Sequence, residues 1–330
     1  MLLSLSDSRQ LIIDALVRNN VSAENAASVA TALVAAEASG QGGHGFRRVE
    51  AYATQARSGK VDGQVTPSFS RPAPGILAID AAHGYAYPAI DLAVAELPGM
   101  ARAQGIAMAT IRRSHHAGVM GLTVERFAQQ GLLAIMVANA PAAMAPWGGV
   151  RPIYGTNPLA FAAPVQGKGP IVVDMALSKV ARGKIMAARQ KGVNIPEGWA
   201  LDRDGNPTTD ASAAMEGTMI PTGDAKGAAL ALMVEILAAG LSAAHFSHEA
   251  TSLFDDKGAP PALGQTIIAI DPKNTAPGFN PLERIYDLAE EIALDSAVRL
   301  PGRRGQALRD KAANEGIEVE DDLIALVKSL

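Results

Sequence analysis

The sequence contains no cysteine, few aromatic residues, no long apolar run and no block of basic residues. Without cysteine, the 330 residues hold no disulfide scaffold, no thiol nucleophile and no thiolate metal site. No run of about 18 apolar residues occurs, so a membrane-spanning helix is not expected. Residues 1–7 lack the basic segment and the long apolar core of a signal peptide. We therefore expect a cytoplasmic protein.

The charges are close to balance, because 33 acidic and 29 basic side chains give a formal net charge of −4. The basic residues form no patch or stripe along the sequence, so a nucleic acid is not an expected partner. The length corresponds to about two domains of roughly 150 residues each. With 48% apolar residues, such a chain can bury a large core without cross-links.

Apolar periodicity predicts helices before the first strand. Residues 7–19 place Ile12 and Leu16 on one helical face, and Ser22 is suited to cap an alanine-rich second helix. Residues 47–57 are predicted to form a third helix. From residue 75 onward apolar runs and helical patterns alternate, which predicts an α/β fold with a buried sheet. The predicted strands are 75–80, 106–111, 132–138, 161–164, 171–174 and 265–271, and the predicted helices are 88–104, 121–130, 179–191, 226–243 and 281–298.

One glycine-rich segment matches the dinucleotide-binding pattern G-x-G-x-x-G. It spans residues 40–45, but a predicted helix precedes it, whereas the dinucleotide fingerprint requires a preceding strand. We therefore interpret these glycines as a hinge that presents His44. The P-loop pattern G-x-x-x-x-G-K-[ST] is absent, so an ATPase of that class is not expected.

His44, Arg48 and Tyr52 follow one another at intervals of four residues. If a helix begins near residue 44, the three side chains share one face. An imidazole exchanges protons near neutral pH, and a guanidinium holds a carboxylate through two parallel hydrogen bonds. The set suits an anionic, proton-exchanging ligand. The alternative is a solvated helix face with a histidine present by chance.

The segment Ser114-His115-His116 follows a predicted strand, where ligands commonly bind in α/β proteins. Neighbouring side chains diverge, so the two imidazoles are poorly placed to bind one metal ion. Either histidine is a candidate for catalysis, and the alternative is a structural role for one of them.

Four further segments have weaker patterns. His245 and His248 are spaced as a metal-binding pair, but no third ligand is apparent, so we predict no metal site. Residues 155–158 form a turn that offers a hydroxyl and an amide. Residues 221–227 and 301–304 combine glycine with basic side chains, which suits a phosphate group, although ordinary loops have the same composition.

Taken together, residues 5 to 310 resemble the type 2 malate/L-lactate dehydrogenase family. The resemblance is to the order of several short motifs, each of them weak when taken alone. These are His44-Gly45 with Arg48 and Tyr52, Ser114-His115-His116-Ala117-Gly118, Gly155-Thr156-Asn157-Pro158, Asp174-Met175-Ala176, Ile195-Pro196-Glu197-Gly198-Trp199, Pro221 to Gly227, Ala269-Ile270-Asp271-Pro272 and Arg299-Leu300-Pro301-Gly302.

The resemblance implies a non-Rossmann α/β fold that binds a nicotinamide cofactor, with a large mixed sheet and flanking helices. Such enzymes transfer a hydride between NAD(H) or NADP(H) and small 2-oxo or 2-hydroxy acids, or reduce cyclic 2-imino acids, typically as homodimers. It also implies an N-terminal helical segment at 1–75, a cofactor- and substrate-binding core at 76–300 and a C-terminal tail at 301–330 that completes the cofactor site.

The resemblance also implies roles for individual residues. His44 and His116 are the candidate catalytic proton carriers. Four residues are candidates for substrate binding: Arg48, Tyr52, Thr156 and Asn157. The candidates for cofactor binding are Gly118, Asn139, Asp174, Met175, Ser178, Lys184, Gly223, Asp224, Lys226, Pro301, Gly302 and Arg303.

The chain departs from the family pattern at three of these positions. Asp224 stands where the family often has glycine, and Arg303 where it often has glutamate, so the choice between NAD and NADP stays open. Lys184 replaces an aspartate that cyclic-imine reductases of the family can carry, which favours a 2-oxo or 2-hydroxy acid of the malate, lactate or sulfolactate type. Arginines at 47, 48 and 151 leave room for a second anionic group.

Two alternatives remain from the sequence. The first is a Δ1-piperideine- or pyrroline-2-carboxylate reductase of the same family. The second is a ligand-binding or regulatory protein that has kept the scaffold without hydride transfer.

Overall fold

The computed structural model describes the backbone of residues 1–330 and every side chain except that of residue 274. The strands are β1 (Leu2–Leu3), β2 (Ser68–Ala73), β3 (Ile76–Asp80), β4 (Ile106–Ser114), β5 (Leu133–Ala138), β6 (Leu159–Val165), β7 (Lys168–Met175), β8 (Ala200–Leu201), β9 (Pro207–Thr208), β10 (Thr218–Met219), β11 (Leu263–Ile270) and β12 (Ile317–Glu318). The helices are α1 (Leu5–Arg18), α2 (Ala23–Ala38), α3 (Val49–Ser58), α4 (Ala86–Gln104), α5 (Met120–Ala128), α6 (Arg182–Lys191), α7 (Ala211–Glu216), α8 (Ala225–Glu235), α9 (Pro281–Ala293), α10 (Arg303–Glu315) and α11 (Asp321–Ser329).

The centre of the molecule is a seven-stranded sheet with the order β2-β3-β4-β11-β5-β6-β7. Strands β3 and β4 run parallel, and the other neighbours are antiparallel. Apolar side chains of these strands pack with α4 and α5 in one core. The large mixed sheet with flanking helices that the sequence predicts is confirmed.

A second core joins the two ends of the chain. Helices α1, α2 and α3 bury Ile12, Leu33 and Tyr52, and the C-terminal residues Ile317 and Val327 pack into the same cluster. The N-terminal helices therefore depend on the C-terminal tail for part of their burial. The functional division of the chain into segments 1–75, 76–300 and 301–330 stays a prediction.

Local signals set several of the boundaries as predicted. Ser22 caps α2 by accepting a hydrogen bond from the Asn25 amide. A helix, and not a strand, precedes the glycines at 40–45, which agrees with our interpretation that they are not a dinucleotide fingerprint. None of the described helices combines the length and apolar character needed to cross a bilayer.

The predicted helix at 47–57 is wrong at its start, which matters for the site. Residues 42–44 and 46–48 form two separate turns of 3-10 helix, and α3 begins only at Val49. Gly45 breaks the path between the two turns with φ −103° and ψ −129°. His44, Arg48 and Tyr52 therefore do not share one helical face.

Other differences concern element ends and one edge strand. Strand β2 was not predicted, because its residues are exposed on both faces and include a proline. Strand β4 continues to Ser114, α6 begins at Arg182, and α9 ends at Ala293. The predicted helix at 226–243 is α8 followed by a π-helical turn at 236–240.

Candidate active site

Two histidines from distant parts of the sequence meet beside the N-terminal helical layer. His44 lies on the first 3-10 turn, and His116 follows β4. Their rings stack with centroids 5.2 Å apart and planes inclined by 13°. The structure thus brings together the two histidines that the resemblance gives as candidate proton carriers. We call His44, Arg48, Tyr52 and His116 the histidine site.

The turn that carries His44 is held by a carboxylate from α2. One oxygen of Glu37 accepts a hydrogen bond from the Phe46 amide at 2.9 Å. A side chain at Gly45 would overlap Glu37 Oε2, so a larger residue there would displace this carboxylate. The hydrogen bond from Phe46 to Glu37 therefore holds the turn that carries His44, where the sequence predicts a continuous helix. The sequence gives no indication of this role, because Glu37 lies inside a helical pattern.

Two tyrosines orient His116. The Tyr52 hydroxyl lies 2.7 Å from His116 Nδ1 and 3.2 Å from the Tyr87 hydroxyl. Burial raises the pKa of Tyr52, and burial raises that of Tyr87 to about 12, so both phenols keep their protons. If Tyr52 donates to Nδ1, His116 carries its own proton on Nε2. Tyr87 was not singled out in the sequence.

His115 takes a different direction from its neighbour. Its Nε2 lies 2.8 Å from the Gln55 side-chain oxygen, and its main-chain oxygen accepts a hydrogen bond from Gln265 at 3.1 Å. The ring is 1% exposed. The expected divergence of the adjacent imidazoles is confirmed, and His115 has the contacts of a structural residue.

Arg48 places an unpaired guanidinium next to the histidines. Its Nε donates to the Gly43 carbonyl at 3.0 Å, and its Cζ lies 4.9 Å above the centre of the Phe254 ring. No carboxylate among the described side chains forms an ion pair with it. Both terminal nitrogens are thus left for an anionic ligand.

Burial and Arg48 keep the imidazoles neutral. Burial, assisted by the charge of Arg48, lowers the pKa of His44 to about 4. The same two causes, in the same order, hold the pKa of His116 well below its usual value. Neutral imidazoles beside a cation are suited to accept a proton from a hydroxyl group of a bound anion.

The predicted cofactor-binding segments gather around β7 and its continuation. The Gly121 amide donates to Asp174 at 2.8 Å, and the Val172 amide donates to the Pro301 carbonyl at 3.2 Å. Beyond β7, Ser178 forms a bridge with Pro221, which leads into the predicted segment 223–226. Met175 beside them is 42% exposed.

Glycines let these segments approach one another closely. Gly302 has φ 90°, and a side chain on it would come within 2.8 Å of Val172 Cβ. Gly118, with φ 65°, leaves no space for a side chain because the Tyr87 hydroxyl lies there. Gly118 therefore connects the cofactor-binding segments to the tyrosines of the histidine site. Gly223, with φ 62°, is open to solvent.

The donors and acceptors present here fit a dinucleotide. The Asp174 carboxylate is an acceptor and suits hydroxyl or amide groups rather than a phosphate. Arg303 and Lys168 line a cavity of about 610 Å³, where Lys168 is paired with Glu290 and Arg303 forms no ion pair with the described side chains and suits a phosphate. Lys184, Asp224 and Lys226 lie exposed at or near the starts of α6 and α8.

Two predicted site residues, Asn139 and Ser178, have side chains that form hydrogen bonds elsewhere. The Asn139 amide bonds the His245 carbonyl and the Gly264 amide. The Ser178 hydroxyl donates to the Val180 carbonyl at 2.8 Å. In this structure these groups hold loops together and face no open site. Thr156 is half-buried, and its carbonyl accepts a hydrogen bond from Leu177.

Asn157 belongs to a buried network that the sequence did not predict. Its amide donates to Glu235 at 2.7 Å, and Ser247 donates to the same carboxylate through its amide at 2.6 Å and its hydroxyl at 2.7 Å. Asn157 adopts φ 37° and is fully buried. We call Glu235, Asn157 and Ser247 the Glu235 network. Its contacts leave the Asn157 side chain no free group for a substrate.

Arg47 and His248 each have contacts that do not involve the histidine site. Arg47 forms an exposed ion pair with Glu320 of the C-terminal tail at 2.6 Å, so it does not supply a second anion-binding group beside Arg48. His248 stacks on Phe246 with ring centroids 6.1 Å apart. Among the described residues, no group of three or more histidine, aspartate or glutamate side chains is placed to hold a metal ion.

Comparisons with known proteins agree on one family. The malate/L-lactate dehydrogenase family profile matches residues 3–328. The (2R)-3-sulfolactate dehydrogenase (NADP(+)) of Chromohalobacter salexigens is 46% identical over 98% of this chain and 96% of its own. The Δ1-pyrroline-2-carboxylate/Δ1-piperideine-2-carboxylate reductase of Pseudomonas putida is 41% identical over 89% of this chain and 86% of its own. A crystal structure of Δ1-piperideine-2-carboxylate reductase from Pseudomonas syringae pvar. tomato superposes with a TM-score of 0.94 at 35% identity, covering 100% of this chain and 99% of that one.

Proposed function

The chain belongs to the malate/L-lactate dehydrogenase family and is an NAD(P)-dependent oxidoreductase, and on that premise we propose that it interconverts a small 2-oxo acid and its 2-hydroxy acid at the histidine site. The observation that carries this proposal is the stack of His44 on His116 beside the unpaired guanidinium of Arg48.

Arg48 binds the carboxylate of the substrate in this proposal. Its terminal nitrogens match the two oxygens of a carboxylate, and holding that group fixes the position of the adjacent carbon. The bound carboxylate also offsets the charge of Arg48, one of the two causes that depress the pKa values of His44 and His116. Substrate binding therefore raises the proton affinity of both imidazoles.

His44 exchanges the proton with the substrate oxygen. No described residue hydrogen-bonds its ring, whereas His116 is fixed at Nδ1 by Tyr52. In the oxidation direction, neutral His44 takes the hydroxyl proton, and in reduction the imidazolium returns it. His116 Nε2 then donates a hydrogen bond to the same oxygen as its negative charge develops. The bound nicotinamide supplies or accepts the hydride.

The cofactor is held by the segments around β7. Asp174 accepts hydrogen bonds from its hydroxyl or amide groups, and Gly223, which has open space beside it, admits its approach to the main chain. Arg303, which forms no ion pair with the described side chains, lines a cavity beside β7 and suits a phosphate, which favours NADP over NAD. The NADP-dependent sulfolactate dehydrogenase among the relatives supports the same choice.

We propose a doubly charged 2-hydroxy acid of the sulfolactate type as the substrate. Lys184 adds a cation near the start of α6, where a cyclic-imine reductase can carry an aspartate. The relative with a sulfolactate substrate is 46% identical to this chain. Cyclic-imine reduction is the second candidate, because the P. putida reductase is 41% identical and also needs a carboxylate anchor.

A substrate panel tests both candidates. Purified protein is mixed with NADPH or NADH and with 3-sulfopyruvate, oxaloacetate, pyruvate, Δ1-pyrroline-2-carboxylate or Δ1-piperideine-2-carboxylate, and loss of nicotinamide absorbance is followed. We expect the highest kcat/KM with 3-sulfopyruvate and NADPH. Turnover of the imines alone would replace the first candidate with the second. No turnover of any of these compounds would contradict both and favour a non-catalytic binding protein.

We further propose a cytoplasmic location, where the nicotinamide cofactor is available.

We also propose that the protein forms a homodimer through α8. One face of α8 and the π-helical turn after it exposes Leu230, Leu232, Met233 and Ile236 by 40–51%, whereas Ala228, Ala231 and Val234 of α8 are buried. Exposed apolar patches of this kind are typical of association surfaces. Light scattering should give twice the chain mass for the wild type and the monomer mass for Met233→Glu. Leu288→Glu, an exposed position on α9, is the control.

A further inference from the structure

The segment 251–259 reaches across to the histidine site from a distant part of the sequence. The Thr251 hydroxyl donates to the Ala259 carbonyl at 2.7 Å, which closes the segment into a loop. Phe254 lies at its tip, 43% exposed, and its ring meets the Arg48 guanidinium. We call residues 251–259 the Phe254 loop.

Two buried side chains anchor the Phe254 loop to α3 and its end. The Lys60 ammonium donates to the carbonyls of Ser252 at 2.6 Å and Asp255 at 3.0 Å, and it lies 3.4 Å from the Asp255 carboxylate. The Lys60 side chain is 1% exposed. Gln55 donates to the Asp255 carbonyl at 2.9 Å. A buried ammonium is costly unless it is bonded in this way.

These contacts fix the main chain on both sides of Phe254. They leave its ring as the group that meets Arg48. The guanidinium of Arg48 has two contacts: its Nε donates to the Gly43 carbonyl, and its Cζ lies over the Phe254 ring. Neither contact uses the terminal nitrogens. Arg48 is thereby ordered in advance for an anion, which reduces the entropy lost when the anion binds.

We propose that Phe254 is a positioning residue for the substrate carboxylate, acting by stacking on Arg48, and that Lys60 and Gln55 hold it in place. The inference rests on the proposed function, in which Arg48 binds the carboxylate. It applies equally to an oxo acid and to a cyclic imino acid, because both carry that group.

The central test compares Phe254→Leu with Phe254→Trp. Leucine keeps an apolar side chain but removes the aromatic face, whereas tryptophan restores a face that binds cations well. We expect Phe254→Leu to raise KM for the oxo acid about tenfold with KM for NADPH and the melting temperature unchanged. Phe254→Trp should recover most of the loss. Phe279→Ala, at a position 79% exposed on another loop, is the control and should change neither.

A double-mutant cycle with Arg48→Ala separates stacking from general packing. If Phe254 acts through Arg48, adding Phe254→Leu to Arg48→Ala raises KM no further. A KM effect that multiplies with that of Arg48→Ala would overturn the proposal. So would an equal rise in both KM values, a lowered melting temperature, or no effect of Phe254→Leu at all.

A binding measurement keeps this result distinct from failure of the proposed function. Calorimetric titration with oxalate, a small dicarboxylate, needs no turnover. We expect about tenfold weaker binding to Phe254→Leu than to the wild type. If the wild type reduces no substrate yet shows this difference, the proposed function fails and the role of Phe254 stands. Equal oxalate affinity in both proteins would contradict the role of Phe254.

Discussion

The Glu235 network is a fully buried polar cluster, whereas the histidine site is half-buried, and the two also differ in how far their hydrogen-bonding groups are satisfied. Glu235 accepts hydrogen bonds from Asn157 and from both the amide and the hydroxyl of Ser247. In the histidine site, His44 Nδ1 is buried without a partner and Arg48 has no acid. Unsatisfied groups cost stability and are kept where a ligand completes them, so the contrast supports our proposal that the histidine site is the functional cluster.

The largest expected effect is on catalysis at the histidine site. His44→Gln removes the proton carrier, and we expect kcat to fall by about 10²–10⁴. Stability should change little, because no described residue hydrogen-bonds the ring. Steady-state kinetics and thermal melting measure the two effects separately. His248→Gln is the control, and a variant at His44 with the kcat of the wild type would remove it from catalysis.

Arg48→Ala should have the next largest effect. Loss of the carboxylate anchor should reduce kcat/KM by the equivalent of about 2–4 kcal/mol, mostly through KM. Arg48→Lys should recover only part, since a single ammonium cannot form the paired hydrogen bonds of a guanidinium. If Arg48→Ala left the kinetics unchanged, Arg48 would not bind the substrate, and the histidine site would no longer differ in function from the Glu235 network.

The Glu235 network should respond in the opposite way. Glu235→Ala leaves the Ser247 amide buried without its acceptor and removes one of the two acceptors of the Asn157 side-chain amide, which should lower the free energy of unfolding by about 1–3 kcal/mol. The kcat of the folded fraction should be retained. Urea unfolding provides the measurement, with the exposed Glu291→Ala as the control. A stable variant that lost its activity would show that the network belongs to the active site.

The smallest effect concerns pH. Because burial and then Arg48 lower the pKa of His44 from 6.5 to about 4, the neutral base persists well into the acidic range. The acidic limb of kcat/KM for hydroxy-acid oxidation should therefore fall near pH 4. A limb centred on the ordinary imidazole value would mean that His44 is solvated in the free enzyme. Circular dichroism at each pH separates this titration from unfolding.

The same comparison explains what the sequence could predict. Apolar patterns along the chain predicted most strands of the central sheet and most of the helices around it. The motif resemblance pointed to His44, His116 and Arg48, which the structure places together. Asn157 was assigned to the same site because a turn motif does not reveal where its side chain points. Its partner Glu235 is 78 residues away in the sequence.

The contacts that support the site were not predictable for the same reason. Glu37, Tyr87 and Phe254 each act through a neighbour that only the fold brings close. The assumption of one helix from His44 to Tyr52 was wrong because Gly45 interrupts it next to Glu37. The site nevertheless forms, because His116 approaches from β4 and contacts both His44 and Tyr52.

The most direct test of the account is the joint dependence of hydride transfer on the two imidazoles. It compares kcat for oxidation of the 2-hydroxy acid by NADP⁺ in His44→Gln, His116→Gln and the double variant. If the rings act as one unit, each single change is severe and the double variant is about as impaired as the worse of the two. Independent, multiplying losses, or a single variant that works as well as the wild type, would contradict it.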